Sequence, residues 1–312
     1  MTDTDALPPG VVSYQVLPQH SHGCAWDAVL GAYTIKERHL GQALLTLLHG
    51  RRLQGTPLAP HGLVLLSGPP GTGKSTLARG LCEAAAGAVA TRGATGVVTV
   101  DPHALPSDLL GESQRSVTRL LQHTLTQIGE ERPHTIVVLD EVESLATSRR
   151  EASFGTNPVD VHRATDAVLA GIDHLSSTAP GMLFVATTNF TEAVDDAFVS
   201  RADLVVEVGL PDQDTLEAIV ADSLRTLAVI WPDLARLAED AALHARLAKQ
   251  ADGWDGRRVR KLVTSAVATR PSVARDPGTL TGDDLVAALE QEDAHGGRAR
   301  ERSESTRGGA TP

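Results

Sequence analysis

The segment Gly68-Pro69-Pro70-Gly71-Thr72-Gly73-Lys74-Ser75 spaces its glycines, lysine and hydroxyl as G-x-x-x-x-G-K-[ST]. Glycines allow successive backbone N–H groups to turn inward around an anion, and a helix starting where the loop ends adds its positive dipole end. Lys74 then reaches the terminal phosphates of a nucleotide, the Ser75 hydroxyl becomes a Mg²⁺ ligand, and Thr76 stands in the turn behind it. Lys74 is one of only four lysines (Lys36, Lys74, Lys249 and Lys261) among 28 basic residues, so its place here carries weight that a single arginine would not.

A second group is Thr135-Ile-Val-Val-Leu-Asp140-Glu141, an apolar run that ends on two acids. Asp140 is assigned to the metal side of the site, and Glu141 is assigned as the general base that takes a proton from water. Small-molecule kinases with the same loop usually lack that glutamate, so the doublet points to hydrolysis. The cofactors expected are ATP and Mg²⁺.

Such groups need elements to hold them. Apolar runs at Leu63–Leu66, Val97–Val100, Ile136–Leu139, Met182–Ala186 and Leu204–Val208 are short and mostly β-branched or leucine. They predict strands buried on both faces of a parallel sheet, with the helical stretches between them as crossovers. The fold class expected is α/β: a three-layer P-loop NTPase domain with a five-stranded parallel sheet, then a small all-α lid domain. Residues 1–25, rich in Pro, Gly, Ser and His, read as a flexible arm. The ATPase domain spans 26–210 and opens with a helix from Trp26 to about Leu48, with Trp26 as a core anchor. The helical domain spans 211–292, with helices over 214–250 and 257–290, and 293–312 reads as a disordered tail.

Composition narrows the class further. At 41% hydrophobic and 21% charged, 312 residues can bury a sizeable core. A formal charge of −11 disfavours a nucleic-acid binder built on a basic face. Two cysteines, Cys24 and Cys82, suit a reducing compartment, and no apolar run approaches the ~20 residues of a membrane span. The expectation is a cytoplasmic protein with no membrane association. The excess of arginine over lysine, with much Ala, Gly, Val and Leu, is the bias of a GC-rich bacterial genome.

Three residues extend the site on positional grounds. Asn189 ends the strand beside the Asp140-Glu141 strand, where it can orient the attacking water. Arg201 lies between a helix and the last strand, an edge position from which it can reach a neighbour's γ-phosphate. Arg257 starts a helix of the second domain and can close over the nucleotide, a part that Arg258 or Arg260 could equally take.

The stretch Leu139-Asp-Glu-Val-Glu-Ser-Leu145-Ala-Thr-Ser-Arg149 resembles the AAA+ ATPases of the pachytene-checkpoint family, remodellers of HORMA-domain proteins. Gly155-Thr156-Asn157-Pro158-Val159-Asp160, with Arg163, Ala167-Val168-Leu169 and Ile172-Asp173, is similar to a run in that family. Thr187-Thr188-Asn189 resembles its sensor 1, Ala197-Phe198-Val199-Ser200-Arg201-Ala202-Asp203 its arginine-finger segment, and Gly256-Arg257-Arg258-Val259-Arg260-Lys261-Leu262 its sensor 2 helix. The resemblance covers roughly Trp26 to Leu289. It implies an AAA+ fold, a hexameric ring, a HORMA-like protein substrate and a role in a bacterial nucleotide-signalling antiphage system. It also places Leu109-Leu110 where an aromatic pore residue often sits, although those leucines read equally well as a buried helix face. About 60 residues precede the ATPase core here, where members with a long adaptor-binding domain carry well over 100, so adaptor-dependent substrate delivery is not the expectation. Two other classes stay open: a DNA-directed AAA+ loader or remodeller, which would want a basic pore, and a non-hydrolysing nucleotide-switch scaffold, which would not need Glu141, Asn189 and Arg201 together.

Overall fold

A computed structural model describes residues 7–18, 26, 33–101, 112–144 and 158–293, which divide into two compact units at Gly209/Leu210. The predicted pore leucines, Leu109 and Leu110, lie outside the described residues.

The first unit is built on a sheet of six strands: β1 (Val11–Leu17), β2 (Leu63–Ser67), β3 (Thr95–Val100), β4 (His134–Leu139), β5 (Met182–Thr188) and β6 (Leu204–Glu207). Their spatial order is β1-β3-β4-β5-β2-β6. β2 to β6 are parallel, as expected for apolar strands separated by helices. β2 and β5 are buried along their whole length, which is why their sequences show no polar alternation.

Alternate side chains feed two separate cores. Leu63, Leu65, Val137, Leu139, Phe184 and Ala186 face one layer, with Ile172 and Leu175 of the long helix Pro158–Thr178. Val64, Leu66, Ile136, Leu183 and Val185 face the other, packed against α1 (Tyr33–Leu53) and α2 (Lys74–Val89). Trp26 packs on this second core, with Lys36 Nζ 5.4 Å from its ring centroid. On the first side α3 (Glu112–Thr118) runs through a π-helical segment, Arg119–Thr124, into α4 (Leu125–Glu131). The helix Pro158–Thr178 is α5, and α6 is the short turn Asp196–Val199.

Two expectations need correcting. The sheet has six strands, not five, and residues 1–25 are not a flexible arm throughout, because β1 pairs antiparallel with β3 from Val11↔Val100 to Leu17↔Thr95. β1 was hidden because only its end residues, Val11 and Leu17, are buried. It is held by edge pairing, not by an apolar run of its own. Tyr14 lies over Gly96, where a side chain would crowd its ring.

The second unit is entirely helical among the described residues. It comprises α7 (Gln213–Ile230), α8 (Ala235–Ala238), α9 (Ala241–Gln250), α10 (Gly256–Val267), α11 (Pro271–Arg275) and residues 282–293. The sequence suggests one helix over 214–250. The chain instead breaks at Trp231-Pro232 and restarts on Asp240, whose carboxylate accepts the Leu243 N–H at 2.9 Å. Asp212 and Asp255 cap α7 and α10 in the same way.

Candidate functional site

The glycine-rich loop joins β2 to α2, so it leaves the C-terminal end of a central strand and enters a helix N-terminus. Gly68 has φ +140°, and a Cβ there would stand 2.2 Å from the Val208 carbonyl oxygen, so a side chain is excluded by space as well as by backbone. Gly73 caps α2 from the left-handed region at φ +97°. Lys74 is 6% exposed, and its Nζ donates to the carbonyls of Gly68 and Pro69, each at 2.8 Å. The lysine therefore spans the loop that carries it and is aimed at the loop's interior. Pro70, Gly71, Thr72 and Thr76 complete the segment, and Thr72 Oγ1 bonds the Pro69 carbonyl at 3.0 Å.

The carboxylates stand at the end of β4, next to β5. Ser75 Oγ donates to Asp140 Oδ1 at 3.0 Å, so the two proposed metal-side groups already meet. Two hard oxygens in contact, beside a loop whose lysine and N–H groups suit phosphates, fit a nucleotide-bound Mg²⁺, which takes few protein ligands. Among the described residues no group of three or more His, Cys, Asp or Glu is arranged to hold a metal ion.

Glu141 has φ +55° and is the one non-glycine residue with positive φ among the described residues. That conformation costs about 1–2 kcal/mol for a residue with a Cβ. Three contacts hold it. Its N–H donates to Thr187 Oγ1 at 3.1 Å; its carbonyl accepts the Ser144 N–H at 3.1 Å and the Ser144 hydroxyl at 3.0 Å; and its Oε1 accepts Asn189 Nδ2 at 3.2 Å. The Thr187 hydroxyl also donates to Asp140 Oδ1. The Asn189 N–H donates to Glu143 Oε1 at 3.2 Å, fixing the end of β5 to the turn after β4. Asn189 thus stands against Glu141, as its strand-end position suggests. Thr187, Ser144 and Glu143 lie in stretches that resemble the family, but the sequence assigns them no individual role in the site.

Arg201 follows α6 and makes a bidentate pair with Asp173 of α5, Nε to Oδ1 at 2.7 Å and Nη2 to Oδ2 at 2.8 Å. Nη1 donates to the Ala197 carbonyl at 2.8 Å. The hydrogen-bonded Arg201 guanidinium holds the Asp173 carboxyl below the usual carboxylate range, and the same bond raises Arg201. Two residues on, Asp203 accepts the N–H groups of His61, Gly62 and Leu63 at 3.0, 2.7 and 3.1 Å, clamping the start of β6 to the start of β2.

In the second unit the three candidate arginines differ sharply. Arg258 lies over the Trp254 ring at 3.5 Å and bonds Asp293, while Arg260 pairs with Asp222 at 2.8 Å. Arg257 is exposed, and its guanidinium has no partner among the described residues.

Comparison with known proteins follows the same lines. The pattern of the ATPase family associated with various cellular activities (AAA) matches residues 64–210. CD-NTase-associated protein 6 of Pseudomonas aeruginosa is 42% identical over 285 residues, covering 91% of this chain and 93% of that protein. The pachytene checkpoint protein 2 homolog of Canis lupus familiaris is 29% identical over 270 residues, which is 80% of this chain and 62% of that protein's length. A chain in the solved E. coli MS115-1 HORMA:CdnC:Trip13 complex superposes with a TM-score of 0.72 at 15% identity, over 90% of this chain and 94% of that one, a likeness of fold.

Proposed function

This chain belongs to the AAA ATPases, among the relatives of CD-NTase-associated protein 6 and pachytene checkpoint protein 2, and from that premise we propose that it hydrolyses ATP to remodel a HORMA-domain protein. The observation that supports hydrolysis is the continuous hydrogen-bonded set Ser75–Asp140–Thr187–Glu141–Asn189 beside the phosphate loop. A pure nucleotide switch has no use for a strained, triply held glutamate. Glu141 accepts a proton from water as that water attacks the γ-phosphorus, ADP leaves, and Asn189 keeps the carboxylate aimed. Lys74 and the loop N–H groups hold the phosphates. Ser75 and Asp140 would hold Mg²⁺, which would supply neutralisation of phosphate charge.

The wider reading is a hexameric ring acting in the cytoplasm as part of a bacterial nucleotide-signalling antiphage system. It rests on the family and on the HORMA:CdnC:Trip13 complex in which a chain of similar fold is found. Arg201 completes a neighbouring subunit's site, Arg257 is the lid arginine, and Leu109 and Leu110 grip the threaded partner.

Two variants test the chemistry. Lys74→Ala should lose nucleotide binding, whereas Glu141→Gln should bind ATP yet hydrolyse it at least about 100-fold more slowly. Normal turnover by Glu141→Gln ends the reading. Hydrolysis stimulated by a HORMA-domain protein and not by DNA supports the substrate class; stimulation by DNA alone transfers the chain to the DNA-directed alternative.

A further inference from the structure

We propose that Thr187 is a positioning residue for hydrolysis, its single hydroxyl setting the Asp140 carboxylate and the Glu141 backbone at once. The inference rests on the reading of Glu141 as the base.

A threonine hydroxyl has one proton to give and two lone pairs to offer. Thr187 gives its proton to Asp140 Oδ1 and takes the Glu141 N–H at 3.1 Å. The register explains how: Leu139 pairs with Ala186, so the next residues of β4 and β5, Asp140 and Thr187, stand side by side where the strands end. Thr187 is 1% exposed, so neither bond is exchanged cheaply for water.

Three features argue that the hydroxyl does more than fill space. Valine has the same shape and the better strand propensity, so packing alone would not call for an oxygen. Asp140 Oδ1 accepts from Ser75 and from Thr187 together, so Thr187 orients the carboxylate that faces the loop. Above all, the Glu141 peptide is gripped at both ends, N–H by Thr187 and carbonyl by Ser144, in a conformation that it would otherwise leave. Without the hydroxyl the N–H loses its acceptor, the residue relaxes towards the right-handed region, and the carboxylate swings away from Asn189. One side chain then controls both halves of the site, the metal side through a carboxylate and the base side through a backbone.

The test uses the full chain and three single variants, Thr187→Val, Thr187→Ser and Glu141→Gln, with the double variant of Thr187→Val and Glu141→Gln. The readouts are kcat and KM for ATP, equilibrium binding of a fluorescent ATP analogue without Mg²⁺, and thermal midpoints. Thr187→Val should lower kcat about 10- to 100-fold, the scale of a buried hydrogen bond to a charged group, with analogue binding within about twofold. Thr187→Ser should restore kcat to within about threefold, because it returns the hydroxyl without the methyl. Adding Thr187→Val to Glu141→Gln should cost less than Thr187→Val costs the parent, because the base it positions is gone and only its hold on Asp140 is left to lose. Should Thr187→Val fail to fold, Thr187→Ala replaces it with serine still as the rescue. A kcat within about twofold of the parent for Thr187→Val, while Glu141→Gln is inactive, overturns the inference and leaves the proposed hydrolysis standing. Equal impairment by serine and valine overturns it too, showing that shape matters and the oxygen does not. Full turnover by Glu141→Gln would instead strike the base assignment itself.

Discussion

Asn189 donates its side-chain N–H to Glu141 Oε1 at 3.2 Å, joining the ends of two neighbouring strands through the groups assigned to water activation. Removing that amide leaves the base without its lateral guide. Asn189→Ala should lower kcat about 10- to 100-fold with ATP affinity little changed. Asn189→Asp should fall further, because a second carboxylate then opposes Glu141 and raises the cost of its charge. Phosphate release at saturating ATP measures both.

The left-handed backbone of Glu141 predicts a trade between stability and activity. Glycine adopts φ +55° without steric cost, whereas glutamine keeps the glutamate's strain. Glu141→Gly should therefore unfold at a higher temperature than Glu141→Gln, by up to about 2–4 °C for about 1 kcal/mol, while neither hydrolyses ATP. Calorimetry of the two proteins side by side decides the point. Equal midpoints would mean the three clamps fully offset the strain.

Arg201 commits three of its five N–H donors inside its own unit, to Asp173 and to the Ala197 carbonyl, so the proposed trans role has two donors left to use. Mixing Arg201→Ala subunits with Glu141→Gln subunits should restore hydrolysis that neither protein has alone. In a random one-to-one mixture about a quarter of the interfaces regain both groups if Arg201 serves the next subunit of a ring. Mixtures that assemble and stay inactive would assign the Arg201–Asp173 pair a structural part only.

Two buried imidazoles set an acid limit. His39 and His134 are 0% and 6% exposed, and burial holds both below their ordinary pKa of 6.5. Below pH 6.5 the unfolded chain takes up protons at these positions more readily than the folded chain, so stability should fall as pH drops through and below about 6.5. The slope reaches at most about 1.4 kcal/mol per pH unit for each imidazole. Denaturant midpoints at several pH values measure it, and replacing His39 and His134 with Gln should flatten the slope over that window.

What could be read from the sequence and what could not divide along a physical line. The phosphate loop is legible because its chemistry is contiguous: eight consecutive residues hold the glycines, the lysine and the hydroxyl. Asp140-Glu141 is legible because a buried strand announces itself by composition and the acids end it. Thr187 is not, since its role arises from the register of β4 against β5, which brings together residues 47 apart in the chain. The Arg201–Asp173 pair is missed for the same reason: the arginine's position is suggestive, but its partner sits on α5 and becomes apparent only when helix and loop are packed. Glu141's positive φ carries no compositional mark at all, because glutamate is an unexpected residue at a left-handed turn.

β1 has a consequence for how this chain tolerates trimming. The strand Val-Val-Ser-Tyr-Gln-Val-Leu holds no charge, yet it supplies the hydrogen bonds that keep the outer margin of β3 paired. A chain begun at Trp26 would not be relieved of a loose tail. It would expose the six-residue margin of Thr95–Val100, with its valines, to any other chain in solution, and strand margins of that kind recruit one another. Val11–Leu17 stands as the end strand in place of β3, and a shortened chain should therefore show the loss in its solubility before it shows one in catalysis.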